Sequence, residues 1–566
     1  MNPAIYLKRP FKTRNADEFD LSEILHLFVN PISGLTSPFD YENSIIKGRM
    51  GSGKTMYLRA NHAYHLYGIL PCLESQETIT LPVLIRLSDF QHVTAPSEIY
   101  RAVVIKILEE MSSIYEHLQD VKALGRIHLG MKTLSIDPRF STKMGQTLRT
   151  LISLGSDEYV EKLTEDIGLR ASAKPSFFAL SADYKKSKLT EIKSRPNAGI
   201  KDIEECYNNL FGDQNAKLLL LIDEAGALDK RFFRNNQDST SFFEILMNQF
   251  RTAEFVRTKI ALYPHSYSDI LTETRYGDIV RLEEDIYQLT GYISLRSRTI
   301  EIIQNYINDG YSDQKINADE LFDLTSNNNY GDGLEQLIYG SNGNIRRLIQ
   351  LLDISLSAAY ADHSGLGKVT LPHAVNALTS NSTAIEGGYS EADRQFLTSI
   401  IAVCKARSTF RFTFPSMSPV LSKYTMRSQE FNVITIADLG AGRRSTVYAF
   451  DYSFCVHHDL PTHYLKGSEK IDKSRSLASG EWISRVTTVS KDLIEHASIP
   501  GKIDGTLEYV KGDSAFVQGD DGKEYFVSRT YVIEDDQRKQ FVIGKRLRFY
   551  PTSMDDSPIA VAIEIL

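Results

Sequence analysis

The chain has 566 residues, 42% of them hydrophobic and 24% charged, and carries a net charge of −8 at neutral pH. That length and composition suit a globular protein with room for roughly three to five domains. The acidic balance excludes a global nucleic-acid signature, so any nucleic-acid contact has to be a local basic patch. Cys72, Cys206, Cys404 and Cys455 are scattered and form no C-x-x-C pair, as expected of a reduced compartment rather than a disulfide framework. The first residues lack the apolar core of a signal peptide, and no run of about 18 apolar residues occurs, so the expected location is cytoplasmic, with no membrane partner.

Residues 1–42 contain a helical spacing of apolar side chains, Leu21, Ile24, Leu25, Leu27 and Phe28. Ser44 to Ala60, SIIKGRMGSGKTMYLRA, then reads G-x-x-x-x-G-K-T: Gly48, then Gly53, Lys54 and Thr55, with Gly51 and Ser52 between. Ile45 and Ile46 lead in as a strand, and Met56 to Ala60 lead out as a helix. Glycines let the backbone wrap a phosphate chain and the helix N-terminus faces the anion. Lys54 would reach the β- and γ-phosphates of ATP, and the Thr55 hydroxyl would ligate Mg²⁺.

Thr80 to Leu87 reads as a further strand and Pro96 to Met111 as a helix opened by proline. Between about 115 and 200 the pattern becomes polar and lysine-bearing, a helical insertion whose basic stretch, Ser181 to Ala198, reads as a solvated face before a binding surface. Leu218 to Ile222, five apolar residues in a row, suit a central parallel strand buried on both faces, ending at Asp223 and Glu224. Asp223 would hold the Mg²⁺ shell and Glu224 would polarise the attacking water. A helix from about Ser241 to Arg257 leads to a short strand, Lys259 to Tyr263, after which His265 or Ser266 is the candidate polar residue for sensing the γ-phosphate. Arg275 precedes the last core strand, Asp278 to Leu282. It is either a residue that projects from one subunit into its neighbour's nucleotide or an ordinary surface arginine.

From Gly291 to Ser380 the pattern is all helical, and Gly343, Asn344, Ile345 and Arg346 open a helix whose apolar face continues through Leu348, Ile349, Leu351 and Leu352. The loop, the acidic strand, Arg275 and the G-N-I-R helix together resemble the AAA+ ATPases of the origin-recognition, initiator-type clade. The resemblance covers residues 1–380 apart from the insertion. It implies an ATPase core over 1–290, a helical lid over 291–380, and a lid arginine, Arg346, touching the γ-phosphate. It also implies that residues 1–42 pack against the adenine, and that subunits assemble into homo-oligomers in the ATP state.

Residues 389–466 carry nine basic against six acidic side chains, a net of +3 within an acidic protein, and NVITIADL and STVYAFDYSFCV form two alternating runs joined by GAGRRS. This hairpin, with Arg443 and Arg444 at its tip as candidate phosphate contacts, resembles the winged-helix domain that follows the lid in initiator-type ATPases and implies duplex DNA as a partner. Cys455, His457, His458 and His463 lie close together. On a strand, however, Cys455 and His457 would share one face and His458 the other, and no C-x-x-C or H-x₃₋₅-H set is complete without a loop residue, so zinc is not expected.

Residues 467–480 read as linker and Glu481 to Ile499 as an amphipathic helix bearing Trp482, within a connecting segment over 467–500. Over 501–566, strands alternate with turn signals in a pattern that resembles a cold-shock type OB-fold, with Ala515, Val517 and Ser528 at some of the expected contact positions and Phe516, Tyr525 and Phe526 retained. Twelve acids against nine bases favour a protein effector over single-stranded nucleic acid as its partner.

The expected fold is thus α/β: a P-loop AAA+ parallel sheet core with helical insertion and lid, then a winged-helix-like domain and a small β-barrel. Two functions are open. One is an ATP-hydrolysing switch coupling nucleotide to self-association and DNA or partner binding, in replication, transposition or defence against phage. The other is a nucleotide-gated scaffold that recruits an effector with little turnover.

Overall fold

The computed structural model describes residues 8–31, 37–128, 139–154, 198–228, 242–263, 278–284, 286, 289–309, 316–325, 331–363, 367–407, 409–414, 421, 424–425, 432–438, 446–460, 486–489, 502–512, 514–529, 532, 537–554 and 557–566. Contacts divide the chain into two units, one of Met1–Asn15, Met50–Ser52 and Glu283–Leu566, the other of Ala16–Arg49 and Gly53–Leu282.

In the unit ending at Leu282, helix α1 (Leu21–Leu27) precedes strand β1 (Ser44–Lys47), and α2 (Lys54–Tyr67) and α3 (Ile69–Ser75) precede β2 (Ile79–Arg86). Helices α4 (Pro96–His128), α5 (Phe140–Leu154) and α6 (Ala198–Phe211) lead to β3 (Ala216–Asp223), and α7 (Phe242–Thr252) joins it to β4 (Val256–Leu262) and β5 (Asp278–Arg281). All five strands are parallel, in the order β2-β3-β4-β1-β5, so β1 lies between β4 and β5. Leu218, Leu220 and Ile222 of β3 enter one apolar cluster and Leu219 and Leu221 the other, all at most 1% exposed. An uninterrupted apolar run is therefore what this strand needs, because both faces are covered.

Two boundaries differ from the sequence pattern. Helix α4 continues past Met111 to His128, because Ile114, Tyr115 and Leu118 extend its buried stripe into the main core. Ile200, near the start of α6, enters the same core, so residues at both ends of the insertion expected over about 115–200 are buried there. Helix α7 stops at Thr252, and Val256 and Arg257 already pair with Leu218 and Leu219.

In the other unit, α8 (Leu289–Asn308), α9 (Ala318–Leu321), α10 (Gly333–Ser341), α11 (Ile345–His363) and α12 (Leu371–Glu386) form the helical region, which extends past residue 380. Helix α13 (Glu391–Ala406) follows, and then β6 (Arg411–Thr413), β7 (Ile434–Asp438) and β8 (Val447–Phe450). Strands β7 and β8 pair antiparallel as a hairpin, in a sheet of order β7-β8-β6-β9.

The second strand of the hairpin ends at Phe450. Asp451 caps a short helix, α14 (Tyr452–His457), by accepting from the Ser453 N–H. Tyr452, Ser453, Phe454 and Cys455 are all buried, which the two-sided alternation of a half-exposed strand does not allow. The expected helix over Glu481 to Ile499 is likewise overturned at its centre, where Thr487–Thr488 forms β9, parallel to β6. Trp482 lies outside the described residues.

Strands β10 (Ile503–Lys511), β11 (Ser514–Gly519), β12 (Glu524–Ser528), β13 (Arg546–Met554) and β14 (Ser557–Ile565) close into a barrel. Leu507, Ala515, Val517, Tyr525, Val527, Leu547 and Phe549 fill it. Tyr525, a candidate ring for base stacking, is therefore a core residue whose hydroxyl donates to Asp521, while Tyr509 joins Phe516 and Phe526 in an aromatic row at centroid spacings of 6.2 and 5.6 Å. Exposed Arg546 and Arg548 are paired with Asp520 and Asp504.

Candidate nucleotide-binding site

Strand β1 ends at Lys47, and the chain passes through Gly48–Gly53 into α2. Gly53, the residue before α2, has φ +96°, a backbone that side chains with a Cβ rarely adopt. Lys54 is the first residue of the helix and is buried, and its ammonium donates to the main-chain oxygens of Gly48 (2.7 Å) and Arg49 (2.8 Å). It also lies 4.1 Å from the ring centroid of Tyr263, the residue that follows β4. A flexible cation thus pins the start of the loop through neutral carbonyls, which an incoming phosphate oxygen outcompetes as a partner.

Asp223 is the last residue of β3 and is buried, accepting the Thr55 hydroxyl and, at 2.8 Å, the Glu224 N–H. Burial pushes its carboxyl above the usual carboxylate range, against the lowering effect of these two hydrogen bonds. Glu224 follows with φ +55°, in the left-handed region that costs a non-glycine residue about 1–3 kcal/mol. Such strain is characteristic of functional turns. Behind it, Gly226 has no room for a Cβ, which would stand 2.6 Å from the Tyr263 ring.

The middle of the loop, Met50–Ser52, groups with the helical region in the other unit. There Asn344 caps α11, its Oδ1 accepting from the Arg347 N–H (3.0 Å), while its Nδ2 donates to the Met50 oxygen (2.7 Å). The Arg346 N–H donates to the Gly51 oxygen (3.0 Å). Gly51 is required twice over: its φ is +81°, and a Cβ would stand 2.6 Å from Asn344 Oδ1. Ser52 is buried, and among the described residues its hydroxyl has no hydrogen-bond partner.

The next residue, Arg347, has a different role. It is fully buried and makes two 2.8 Å bonds to the two oxygens of Asp451, and its Nε donates to Asn381. Neither Asn344 nor Tyr263 was singled out as a contact residue by the sequence pattern. A polar residue directly before a helix was the available sign for Asn344, whereas nothing local marks Tyr263. Arg275, His265, Ser266, Arg443 and Arg444 lie outside the described residues.

A glycine-bearing loop at the carboxyl end of a parallel strand, leading into a helix and matched by a buried acid at the end of a second strand, is the arrangement of a P-loop α/β protein. The donors present, an ammonium and a threonine hydroxyl beside a carboxylate, fit a nucleotide phosphate chain with its Mg²⁺. Residues 9–77, which hold α1, β1, the loop, α2 and α3, match the family model described as ORC-CDC6-like. This match supports a relationship to ORC/Cdc6-type AAA+ ATPases, and with it nucleotide binding of the AAA+ initiator type. None of the curated proteins matches the chain. No helix among the described residues is long and apolar enough to cross a membrane.

Proposed function

We propose that this protein binds and hydrolyses ATP as an initiator-type AAA+ switch, its nucleotide state governing self-association and the engagement of duplex DNA. The observation that carries the reading is the pairing of Thr55 with Asp223, which brings the start of α2 and the end of β3 to one point, beside the ammonium of Lys54. In this reading Gly48, Gly51, Ser52 and Gly53 cradle the phosphates, and Lys54 leaves its carbonyls for the β/γ oxygens. Thr55 and Asp223 would hold Mg²⁺, which when bound supplies neutralisation of charge on the phosphates. Glu224 polarises the attacking water. Arg346 acts from the lid of the same chain and Arg275 from a neighbouring subunit.

ATP binding and turnover by purified variants test this. Lys54→Ala is expected to abolish turnover, and Glu224→Gln to keep ATP binding while lowering turnover by about 10²–10⁴-fold. Unchanged turnover in the first variant overturns the reading. Mixing Lys54→Ala with Arg275→Ala should restore activity at mixed interfaces, whereas Lys54→Ala with Arg346→Ala should not, because both lesions then lie in the receiving pocket. Recovery in neither mixture would make Arg275 a surface residue.

A further inference from the structure

We propose that Glu386, His457 and His458 form a binding site for a zinc-class divalent metal, which clasps the end of α12 to the end of α14. Glu386 is the last residue of α12, His457 the last of α14, and His458 the residue that caps it. One donor atom from each of the three lies within 4.8 Å of the other two. The His458 Nε2 is hydrogen-bonded to Glu386 Oε1, and the His457 Nε2 is 3.9 Å from the same oxygen. The imidazoles lie with centroids 4.6 Å apart.

A simple His–Glu hydrogen bond accounts for His458 and leaves His457 over. At 3.9 Å its Nε2 is beyond hydrogen-bond range of the carboxylate, and its Nδ1 is buried with no hydrogen-bond partner among the described residues. A metal ion would give the His457 Nε2 a partner, taking a lone pair from each ring and one carboxylate oxygen, and would leave the His457 Nδ1 as an N–H. Bonds of about 2.0–2.1 Å in a tetrahedral site place ligand atoms about 3.3 Å apart, so no pair of donor atoms within the observed 4.8 Å has to shift by more than about 1.5 Å. Two imidazoles and a carboxylate suit Zn²⁺ over Mg²⁺ or Ca²⁺, which favour all-oxygen sets. The side chains remain 20–24% exposed, so water can fill the fourth position.

The helix at issue is already fastened at its other end, where Asp451 holds Arg347 and the Tyr452 hydroxyl bonds to Gln336. A metal would fasten the second end. Among the described residues the buried His457 Nδ1 has no acceptor of the kind that usually orients a metal-binding imidazole, and such a missing partner weakens binding by about 10–100-fold.

The test uses the full chain, stripped with chelator and free of nucleotide, titrated with Zn²⁺ against a chromophoric competitor and separately with Co²⁺. One saturable equivalent is expected, with Co²⁺ giving visible bands of four-coordinate geometry and no thiolate charge-transfer band. His457→Ala and Glu386→Gln should each weaken binding at least tenfold, and Thr55→Ala should leave it unchanged. Zn²⁺ should raise the melting temperature of the wild type but not of His457→Ala. Binding unaltered by His457→Ala, or loss in Thr55→Ala, would overturn the proposal. Should the variants fail to fold, the absence of the Co²⁺ bands from the wild type would overturn it on its own.

Discussion

Two buried cations set the loop after β1 apart from the junction of α11 with α14. Lys54 is held by two main-chain carbonyls and a tyrosine ring, and Arg347 by both oxygens of Asp451. The carbonyls carry no net charge, so the ammonium can change partners when an anion arrives. The guanidinium is fixed in a two-bond fork matched to its carboxylate, and nothing is gained by moving it. Adjacent arginines in one sequence motif, Arg346 and Arg347, thus divide between the loop and the interior. A buried cation points to ligand binding only where its partners are exchangeable.

The largest expected effect comes from breaking the fixed pair. Asp451→Ala should destabilise the protein by about 3–5 kcal/mol, because it leaves the Arg347 charge buried and uncompensated. Chemical denaturation would measure this. Replacing both residues together, as Arg347→Met with Asp451→Leu, should recover most of the loss, and Lys54→Ala should cost far less stability than Asp451→Ala. A pair that behaves like Lys54 in this assay would erase the contrast.

Next comes a dependence on pH in the helix that carries Lys54. Burial pushes the imidazoles of His62 and His65 down to about 4 each, helped by the nearby charges of Arg59 and Lys259. In the unfolded chain both titrate near 6.5. Between these values the unfolded state takes up protons that the folded state refuses, so the stability present above about pH 6.5 is lost as the pH falls toward 4. The loss is on the order of 2 kcal/mol for each histidine. Denaturant midpoints measured from pH 7 to 4.5 should show it, and a His62→Leu, His65→Leu variant should show a flatter profile. An equal slope in both proteins would place the acid sensitivity elsewhere.

A smaller effect is expected at Gly51. Alanine there meets both an unfavourable φ and the Asn344 side chain, at a cost of about 1–3 kcal/mol. Its nucleotide affinity should fall, and Asn344→Ala combined with Gly51→Ala should fall by less than the sum of the two, since the clash is shared. The smallest concerns DNA. Converting Arg443 and Arg444 to alanine should weaken duplex binding evenly across sequences and flatten the log–log salt slope by up to about two. An unaltered slope would leave those residues as solvated surface.

Much of the core was legible because its signals are local. The Gly-x-x-x-x-Gly-Lys-Thr spacing announces a loop whose geometry is set by backbone freedom within a few residues, and the apolar run Leu218 to Ile222 suits the strand covered on both faces that it forms. The hairpin of β7 and β8 followed from alternation alone. What failed were the ends of elements. Val256 joined a strand, not the preceding helix, because its partner was Leu218. Tyr452 to Cys455 continued an alternating pattern yet coiled into α14, because the helical region and Asp451 bury every one of them.

Taken alone, the sequence determined the glycine-bearing loop between β1 and α2, the central strand that ends at Asp223 and the order of the helical and strand-rich regions, since each depends on residues adjacent in the chain. Only the tertiary structure decided that Asn344 reaches Met50, that Arg347 belongs to Asp451 rather than to a ligand, that Tyr525 points into its barrel, and that Glu386 meets two histidines. These pairings join residues tens to hundreds of positions apart. The burial that makes each favourable exists only after the elements have packed.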